Sequence, residues 1–300
     1  MRAHALCGQV PVLSRQHSEP DRLIPTLERF VAREPGVAAI RNGQLVGYLF
    51  GFDIGHWHGR RTVFSPAWAH AAALEDRQAL YWAMYREMSR QWVAAGQFQH
   101  ALVELATGCG GREAWQWMGF GLAAVDAVRS LDPATGGDPD ARIRRASLDD
   151  VEVAAQLGEA LWRHLCAPPV FLLRQPRDWV EVQRAFVSDS ANALWLAERD
   201  GQVVASMRHA PVSDDVSYVL RDSGTTSIVG AYACPEARGR GVAVALLNQV
   251  LAQAREEGYE RCGVDFETQN IEGVRFWLRH FRPVGYGMSR VVDGRAKATS

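Results

Sequence analysis

The sequence lacks several features that would assign it to a specialised class of protein. No run of about 18 apolar residues occurs, so we expect no membrane-spanning helix. The five cysteines are scattered, odd in number and never in Cys-x-x-Cys spacing, which argues against a disulfide framework and a structural zinc site. The 33 basic and 34 acidic residues nearly cancel, so the charge gives no indication of a nucleic-acid or membrane partner.

The composition instead fits an ordinary globular protein with more than one core. Of the 300 residues, 47% are hydrophobic and 22% are charged. This length favours two domains of about 150 residues each. The apolar stretch at the N-terminus is too short for a signal peptide. Together with the unpaired cysteines, these observations predict a soluble cytoplasmic protein. We expect a monomer or a homodimer, a choice that the sequence does not decide.

The clearest change in composition lies at residues 131–140. This segment holds two prolines, two glycines and three aspartates, a composition that favours a linker over a packed core. We therefore predict one domain at residues 1–131, a linker at 132–140 and a second domain at 141–300.

Similar elements occur in the same order on both sides of this segment. Each half has a hairpin around a turn signal, at Asn42-Gly43 and at Asp200-Gly201, followed by strands that alternate with helices. This order predicts a mixed α/β (α+β) fold in both halves, with a strand at 283–292 closing the second sheet. We interpret the repetition as a duplicated domain, although two mixed α/β halves can also look alike by chance.

The most informative motif is a glycine-rich turn between a strand and a helix. Small residues occupy positions 230, 231 and 233, the turn Arg238-Gly-Arg-Gly241 follows, and an amphipathic helix begins at once. Glycine lets the backbone approach a ligand closely, and the first amides of a helix have no partners within it. Such a turn can hold a phosphate at the positive end of the helix dipole, or it can be a turn without a ligand. Neither a Walker loop nor a dinucleotide fingerprint matches here.

Two linked motifs in this region resemble those of the GNAT N-acetyltransferase superfamily. The turn reads Arg-x-x-Gly-x-Ala at 238–243, as in the acyl-CoA loop of that superfamily. Asn270, Gly273, Phe276-Trp277 and His280-Phe281 then follow a further strand, where the family often has Asn, a small residue, an aromatic-Tyr pair and Gly-Phe. The resemblance covers about residues 141–293.

The resemblance implies two tandem GNAT-like domains, each a mixed, mostly antiparallel sheet flanked by helices. The first copy would be degenerate, because the segment 66–77 stands where the acyl-CoA loop would be and has no glycine. It carries Glu75 and Asp76, whose carboxylates would repel a pyrophosphate. We therefore expect one acyl-CoA per chain, in the second domain.

The resemblance also implies that acetyl-CoA, or another acyl-CoA, is the co-substrate and that no metal is needed. Backbone amides near residue 232 would hold the thioester, the loop 238–243 the pyrophosphate, and Asn270 the pantetheine arm. The residues expected to bind acyl-CoA are Ala231, Tyr232, Ala233, Arg238, Gly239, Arg240, Gly241, Val242, Ala243, Asn270 and Trp277.

The proton donor to the leaving thiolate does not follow directly from the motifs. Trp277 occupies the position where the family often has a tyrosine, and an indole N–H cannot deliver a proton near neutral pH. As an aromatic residue, Trp277 would line the pantetheine or pack in the core. Either the thiolate leaves unassisted, or Tyr232 or Tyr286 supplies the proton.

A base must take a proton from the attacking amine. Glu267 lies at the end of the strand that precedes Asn270 and is the first candidate, with Asp265 and Glu236 as alternatives. Salt bridges to neighbouring arginines would instead give these carboxylates a structural role.

We predict that the chain transfers an acetyl group from acetyl-CoA to a primary amine of a small molecule by direct attack. Cys234 could suggest a covalent route, but a small strand residue is more often a packing residue. Two other functions stay open, because a fold does not determine a function. One is a non-catalytic protein that binds acyl-CoA or another small molecule, and the other is a different thioester reaction, such as decarboxylation.

Two further sets of polar residues have alternative interpretations. An acidic set could attract a cationic amine or belong to a solvated loop: Asp214, Asp215 and Asp222. An aromatic and histidine set is concentrated in the first half: His56, Trp57, His58, Trp68 and His70. These histidines are expected on separate loops without a carboxylate, so we predict packing or a wall of the acceptor pocket rather than a metal site.

Overall fold

The computed structural model describes residues 2–57, 59–108, 110–173, 177–212 and 216–296. The chain forms two compact units that are not contiguous in sequence. The first comprises Met1–Asp126, Ser217–Val219 and Pro283–Ser300, and the second comprises Ala127–Val216 and Leu220–Arg282. Each unit combines a mixed β-sheet with helices, so the predicted mixed α/β class is confirmed.

The first unit is built around one long helix, a separate three-stranded antiparallel sheet and strands of a mixed sheet. Its helices are α1 (Arg2–Gln9), α2 (Pro20–Val31), α3 (Arg77–Ala94) and α4 (Gly111–Trp117). Its strands include β1 (Gly36–Arg41), β2 (Gln44–Phe50), β3 (Phe52–Trp57), β4 (Arg60–Ser65), β5 (His70–Ala72), β6 (Gln99–Leu105) and most of β7 (Gly121–Ser130). The hairpin predicted around Asn42-Gly43 is confirmed, with φ of 51° and 77° at the two turn residues. Strands β3 and β4 pair antiparallel, whereas β4 and β6 pair parallel.

Two short strands correct the interpretation of the histidine set. His56 and Trp57 lie in β3 and His70 lies in β5, so the expectation that they occupy separate loops is wrong. His58 lies outside the described residues. The His70 side chain is buried, with Nδ1 3.1 Å from the Tyr81 hydroxyl and Nε2 3.0 Å from the Val103 carbonyl oxygen. Its environment is that of a packed core histidine.

The interior of the first unit also holds a buried ion pair. Helix α3 packs an apolar face against the sheet, and Arg2 of α1 reaches the same interior. Its guanidinium pairs with Glu104, whose side chain is 2% exposed, and donates to the His70 carbonyl oxygen at 2.8 Å. The surrounding apolar core includes Leu49, Val63, Tyr81, Met84, Met88, Trp92 and Trp115.

The second unit alternates helices and strands in the order that the sequence predicted. Its helices are α5 (Val151–Cys166), α6 (Trp179–Ser188), α7 (Val242–Glu256) and α8 (Ile271–His280). Its strands are β8 (Arg142–Arg145), β9 (Ala193–Arg199), β10 (Gln202–Pro211), β11 (Thr225–Ala233) and β12 (Arg261–Glu267). The predicted β9–β10 hairpin is confirmed, and its turn residues Asp200 and Gly201 have φ of 51° and 76°. Strands β10 and β11 pair antiparallel, whereas β11 and β12 pair parallel.

The last strand, β13 (Arg282–Val291), differs from the expectation that it closes the sheet of the second half. From Pro283 onward it belongs to the first unit, where it pairs antiparallel with β6. Tyr286 lies opposite Glu104 in that register. The expectation failed because the alternation of a strand indicates its two faces and not the strand that it joins.

The sheet of the second unit carries different helices on its two faces. Side chains alternate along a strand, so Tyr232 faces one side and its neighbours Ala231 and Ala233 face the other. Tyr232 packs against an apolar cluster that includes Leu157 of α5 and Phe186 of α6. Helix α7 packs against β9, β10 and β11 on the opposite face. The two faces therefore offer different surroundings to any ligand that lies along β11.

The segment predicted as a linker has no helix or strand, yet it packs closely in the second unit. The side chain of Asn248 in α7 donates to the Ala134 carbonyl oxygen at 2.9 Å and accepts from the Ala134 amide at 2.7 Å. Asp138 is 8% exposed, pairs with Arg199 at 2.6 Å and donates its amide to the Gly241 carbonyl oxygen at 3.2 Å. The segment is thus fixed against the start of α7, which its composition did not predict.

Candidate active site

The candidate site begins where β11 separates from β12. These strands pair from Thr225 to Ile228, and the β10–β11 register then shifts, which leaves Val229 as an extra residue in β11. A bulge of this kind bends a strand. In the part of the chain that the structure describes, β11 has no pairing with β12 beyond Ile228. The bend therefore opens a gap beside residues 230–233.

Backbone amides of β11 point into this gap. Cys234 donates its amide to the Val204 carbonyl oxygen in β10 at 2.9 Å. Because amide directions alternate along a strand, the amide of Tyr232 also faces β10 and those of Ala231 and Ala233 face away from it. The two alanines expected to hold a thioester thus direct their N–H groups to the gap, whereas Tyr232 offers its side chain.

A cavity of about 600 Å3 lies at this gap, within the second unit. Most of its wall comes from β11, the turn before α7, and α8. All the predicted acyl-CoA residues except Arg240 line it: Ala231, Tyr232, Ala233, Arg238, Gly239, Gly241, Val242, Ala243, Asn270 and Trp277. Arg240 is exposed. Residues distant in sequence are therefore brought together around one space large enough for the reactive end of a thioester ligand.

The start of α7 has the geometry of an anion site. Gly239 and Gly241 have φ of 74° and 86°, values that glycine adopts without the strain imposed by a side chain. The first amides bonded to the Gly241 carbonyl oxygen are those of residues 244 and 245, so the amides of Val242 and Ala243 precede the helical hydrogen bonds. Arg238 donates to the Ala233 carbonyl oxygen at 3.0 Å. These donors and the helix dipole fit a pyrophosphate.

The segment predicted as a linker contributes to this wall. Thr135 and Gly136 line the cavity. A Cβ placed on Gly241 would lie 2.8 Å from the Asp138 amide nitrogen and closer still to the Gly136 carbonyl oxygen. Sequence reasoning missed these residues because Pro, Gly and Asp composition indicates only an irregular segment, and the contact joins residues about a hundred positions apart.

Asn270 connects the start of α8 to a histidine that the sequence did not single out. Its Oδ1 accepts the Gly273 amide at 3.1 Å and so caps α8. His164, in the last turn of α5, places Nε2 3.2 Å from the same oxygen. Since Oδ1 can only accept, Nε2 carries a proton, which also faces the Glu272 carboxylate 3.9 Å away, and Nδ1 carries the lone pair whenever the ring is neutral. His164 also lines the cavity, as does His280, whose pKa is lowered by burial and by Arg129 and Arg279.

The predicted catalytic carboxylates lie apart from the cavity wall. In the described residues, neither Glu267 nor Asp265 lines the cavity, although the Glu267 carbonyl oxygen accepts the Asn270 amide at 3.2 Å. Asp265 and Glu236 are exposed. Arg261 forms ion pairs with Asp222 and Glu260.

The tyrosine candidates occupy different units. Tyr232 lines the cavity and lies beneath the guanidinium of Arg238, whose Cζ is 5.6 Å from the ring centroid. Tyr286 belongs to the first unit, where Arg112 lies 5.1 Å from its ring centroid. Trp277 is 8% exposed, packs edge-on against Phe281 and also lines the cavity, so it is both a core residue and a wall residue.

Two other sequence interpretations are resolved by the contacts. Burial and the charge of Glu236 raise the pKa of Cys234, which keeps this residue a thiol and favours its packing role. Asp222 is buried against Arg261, so the idea that it attracts an amine is wrong. Asp214 and Asp215 lie outside the described residues.

The described residues contain neither a metal-binding cluster nor a membrane-spanning helix. No group of three or more His, Cys, Asp or Glu side chains there is placed to hold a metal ion. Among the same residues, no helix has the length and apolar character needed to cross a membrane.

Comparison with known proteins agrees with this geometry. Residues 158–281 match the model of the acetyltransferase (GNAT) family. Rat N-acetyltransferase 8B is 28% identical over 101 residues, which span 34% of this chain and 44% of the rat protein. Human N-acetyltransferase 8B is 30% identical over 95 residues, 32% of this chain and 39% of the human protein. The chain thus matches less than half the length of these relatives.

A solved structure extends the likeness in fold to the whole chain. The GCN5-related N-acetyltransferase from Sphaerobacter thermophilus aligns with a TM-score of 0.55, covering 100% of this chain and 96% of that chain at 13% identity. At this identity the alignment speaks for the fold alone. The family match and the relatives agree with the cavity and its loop, and residues 158–281 belong to the acetyltransferase (GNAT) family.

Proposed function

We propose that this protein transfers the acetyl group of acetyl-CoA to a primary amine of a small molecule. The proposal rests on one observation: β11, the glycine loop 238–243 and Asn270 all line the same cavity. An open strand edge suits a thioester and its pantetheine arm, and a glycine-bounded helix start suits a pyrophosphate. Acetyl-CoA supplies the activated carbonyl, and the chain supplies position and proton transfer.

The amides of Ala231 and Ala233 would donate to the thioester carbonyl oxygen and stabilise the negative charge that develops there. The amine nitrogen attacks the carbonyl carbon, a C–N bond forms, and the C–S bond breaks to release the thiolate. No covalent intermediate on the protein is needed, which agrees with the raised pKa of Cys234. Tyr232, whose side chain lines the cavity, is our proposed proton donor to the thiolate.

Two groups are candidates for the base that takes the proton from the attacking amine. Glu267 remains the proposal from the sequence and would act through a water, because its side chain is not part of the described cavity wall. His164 has a direct advantage: it lines the cavity, and its contact with Asn270 leaves Nδ1 as a proton acceptor. An essential base of this kind contributes roughly 100-fold to 10,000-fold in rate.

The test combines acetyl-CoA calorimetry with a thiol-release screen against a library of amines. We expect binding of one acetyl-CoA per chain and thiol release with at least one amine. The pH dependence of kcat should then be measured for H164Q and E267Q, which test the two candidate bases. The same measurement on Y232F tests the proposed proton donor. Absence of acetyl-CoA binding would refute the proposal, binding without thiol release would favour a non-catalytic role, and turnover of malonyl-CoA alone would favour decarboxylation.

A further inference from the structure

A partly buried arginine next to the cavity lacks the carboxylate partner that comparable arginines of the second unit have. Arg208 lies in β10 on the face of the sheet covered by α5 and α6, opposite Gly230 of β11. In the described part of the chain it forms no ion pair, and its Nε is buried without a hydrogen-bond partner. By contrast, Arg144, Arg199 and Arg261 each pair with an aspartate.

Burial increases the cost of leaving the charge of Arg208 unpaired, and an aromatic ring offsets only part of this cost. Its guanidinium carbon lies 3.9 Å from the centroid of the Phe186 ring in α6. Burial, and then the nearby positive charge of Arg177, lower the pKa of Arg208. Withdrawing a charge from water without a partner is unfavourable, so a partly buried and unpaired guanidinium indicates a missing anionic partner.

The position of Arg208 connects it to the candidate site. A Cβ placed on Gly230 would lie 3.5 Å from Arg208 Cδ and 3.9 Å from Leu161 Cδ2, so the arginine and the leucine flank the same glycine. Leu161 lines the cavity, and so does Tyr232, two residues beyond Gly230 on the same face. The cationic group therefore adjoins the cavity on its α5–α6 side, whereas the glycine loop leads into α7 on the opposite face.

A second cation and further unpaired polar atoms lie in the same α5–α6 layer. Arg177 lies 5.3 Å from the ring centroid of Trp162 and 5.9 Å from that of Trp179. In the described residues, Trp162 Nε1 and Gln183 Oε1 are buried without hydrogen-bond partners. A guanidinium stacked on an aromatic ring keeps its N–H edge available for bidentate bonds to a carboxylate or phosphate.

We propose that the amine acceptor carries an anionic group, a carboxylate or a phosphate, which Arg208 binds with assistance from Arg177. This inference rests on the proposed acetyl transfer and adds the class of its acceptor. The anion would neutralise the unpaired guanidinium on the α5–α6 side, and the amine of the same molecule would extend past Tyr232 to the thioester. The acceptor is then a small amine that bears both charges, such as an amino acid or an amino-phosphate.

The experiment measures thiol release for pairs of amines that differ in one charge. An ω-amino acid is compared with the alkylamine of the same length, and 2-aminoethyl phosphate with 2-aminoethanol, at equal concentrations of unprotonated amine. We expect kcat/KM to be at least tenfold higher for the acidic member of one pair, and that pair identifies carboxylate or phosphate. R208M should reduce this ratio to below about twofold, and R208K should retain part of it because it keeps the charge without the bidentate edge.

The matched control is R184M, which removes an exposed arginine from the same helix as Phe186 and should leave the ratio unchanged. Acetyl-CoA binding and the melting temperature report whether R208M is folded. If R208M is unfolded, the kcat/KM ratios of R208K and of the wild type test the inference instead. Preference for the uncharged amines, or a ratio that R208M does not change, would overturn the inference while acetyl transfer itself persists. Failure of every amine to release thiol would refute the proposed function as well.

Discussion

His164 donates its Nε2 proton to Oδ1 of Asn270 across 3.2 Å, and this contact joins the end of α5 to the start of α8. The same oxygen accepts the Gly273 amide, so one side chain both caps a helix and orients an imidazole. An orienting partner of this kind selects the tautomer of a histidine. The contact with Asn270 therefore selects the tautomer in which Nδ1 is the nitrogen without a hydrogen.

Replacing Asn270 should separate these two roles. N270A should lower the free energy of unfolding by about 1 kcal/mol, because it removes the α8 cap, and should lower turnover as well. N270S restores a capping oxygen on a shorter side chain, so it should recover stability and not turnover. Denaturant unfolding and steady-state kinetics on the two variants provide the measurement. Equal turnover in both variants and the wild type would show that the contact with His164 has no catalytic consequence.

G241A should disturb the loop in two ways, because alanine is strained at this positive φ and its Cβ also clashes with neighbouring backbone atoms. The new Cβ would collide with the Gly136 carbonyl oxygen and the Asp138 amide, so the turn and the segment beneath it must move. We expect a loss of acetyl-CoA affinity of at least tenfold by calorimetry, together with a lower melting temperature. The matched control is G258A, which has φ of 85° at the other end of α7 and open space around its Cβ. If G258A lowered affinity as much as G241A, general strain would account for both.

The stability of the second unit should depend on the ionisation of Asp150. This carboxylate accepts bonds from Arg144 at 2.7 and 2.8 Å and from the Ser147 amide at 2.8 Å, and the Arg144 bond is the largest cause that lowers its pKa from 3.8 to about 2. A lowered pKa stabilises the folded state above about pH 4, and the contribution is lost as the pH falls toward 2. Its size is on the order of 2 kcal/mol.

D150N should therefore be less stable than the wild type at pH 7, and the difference should shrink as the pH falls from 4 toward 2. Urea unfolding at several pH values measures it. D149N changes the exposed neighbouring aspartate and should leave both the stability and its pH dependence nearly unaltered. A difference between D150N and the wild type that stays constant down to pH 2 would contradict the assignment.

Arg2 should contribute strongly to the stability of the first unit through its ion pair with Glu104. R2M leaves the buried Glu104 carboxylate without its partner, and such a change costs roughly 3–5 kcal/mol. R22M removes an exposed arginine whose side chain is 63% accessible and should cost less than about 1 kcal/mol. Chemical denaturation of both variants tests the contrast. The double variant R2M/E104Q should recover part of the loss, because it removes the uncompensated charge.

The sequence predicted those features that neighbouring residues determine. Asn42-Gly43 and Asp200-Gly201 adopt the positive φ values that their hairpins require, because the turn chemistry is local. The loop 238–243 likewise carries its glycines and arginines within one turn. His164 could not be found in this way, because it lies 106 positions from Asn270 and its position at a helix end is ordinary for a histidine. Arg208 gave no signal either, since an arginine in a strand is unusual only once its partners are known.

The contact between Gly136 and Gly241 changes what the segment 132–140 is within this protein. A segment that only tethers two domains can be lengthened, shortened or cut without effect on a ligand. Here its backbone packs against the glycine loop and lines the cavity. A ligand that binds to the loop should therefore also stabilise the folded conformation of this segment. Binding of acetyl-CoA should therefore protect these peptide bonds from proteases, and a protein that began at residue 141 would lack part of its own binding site.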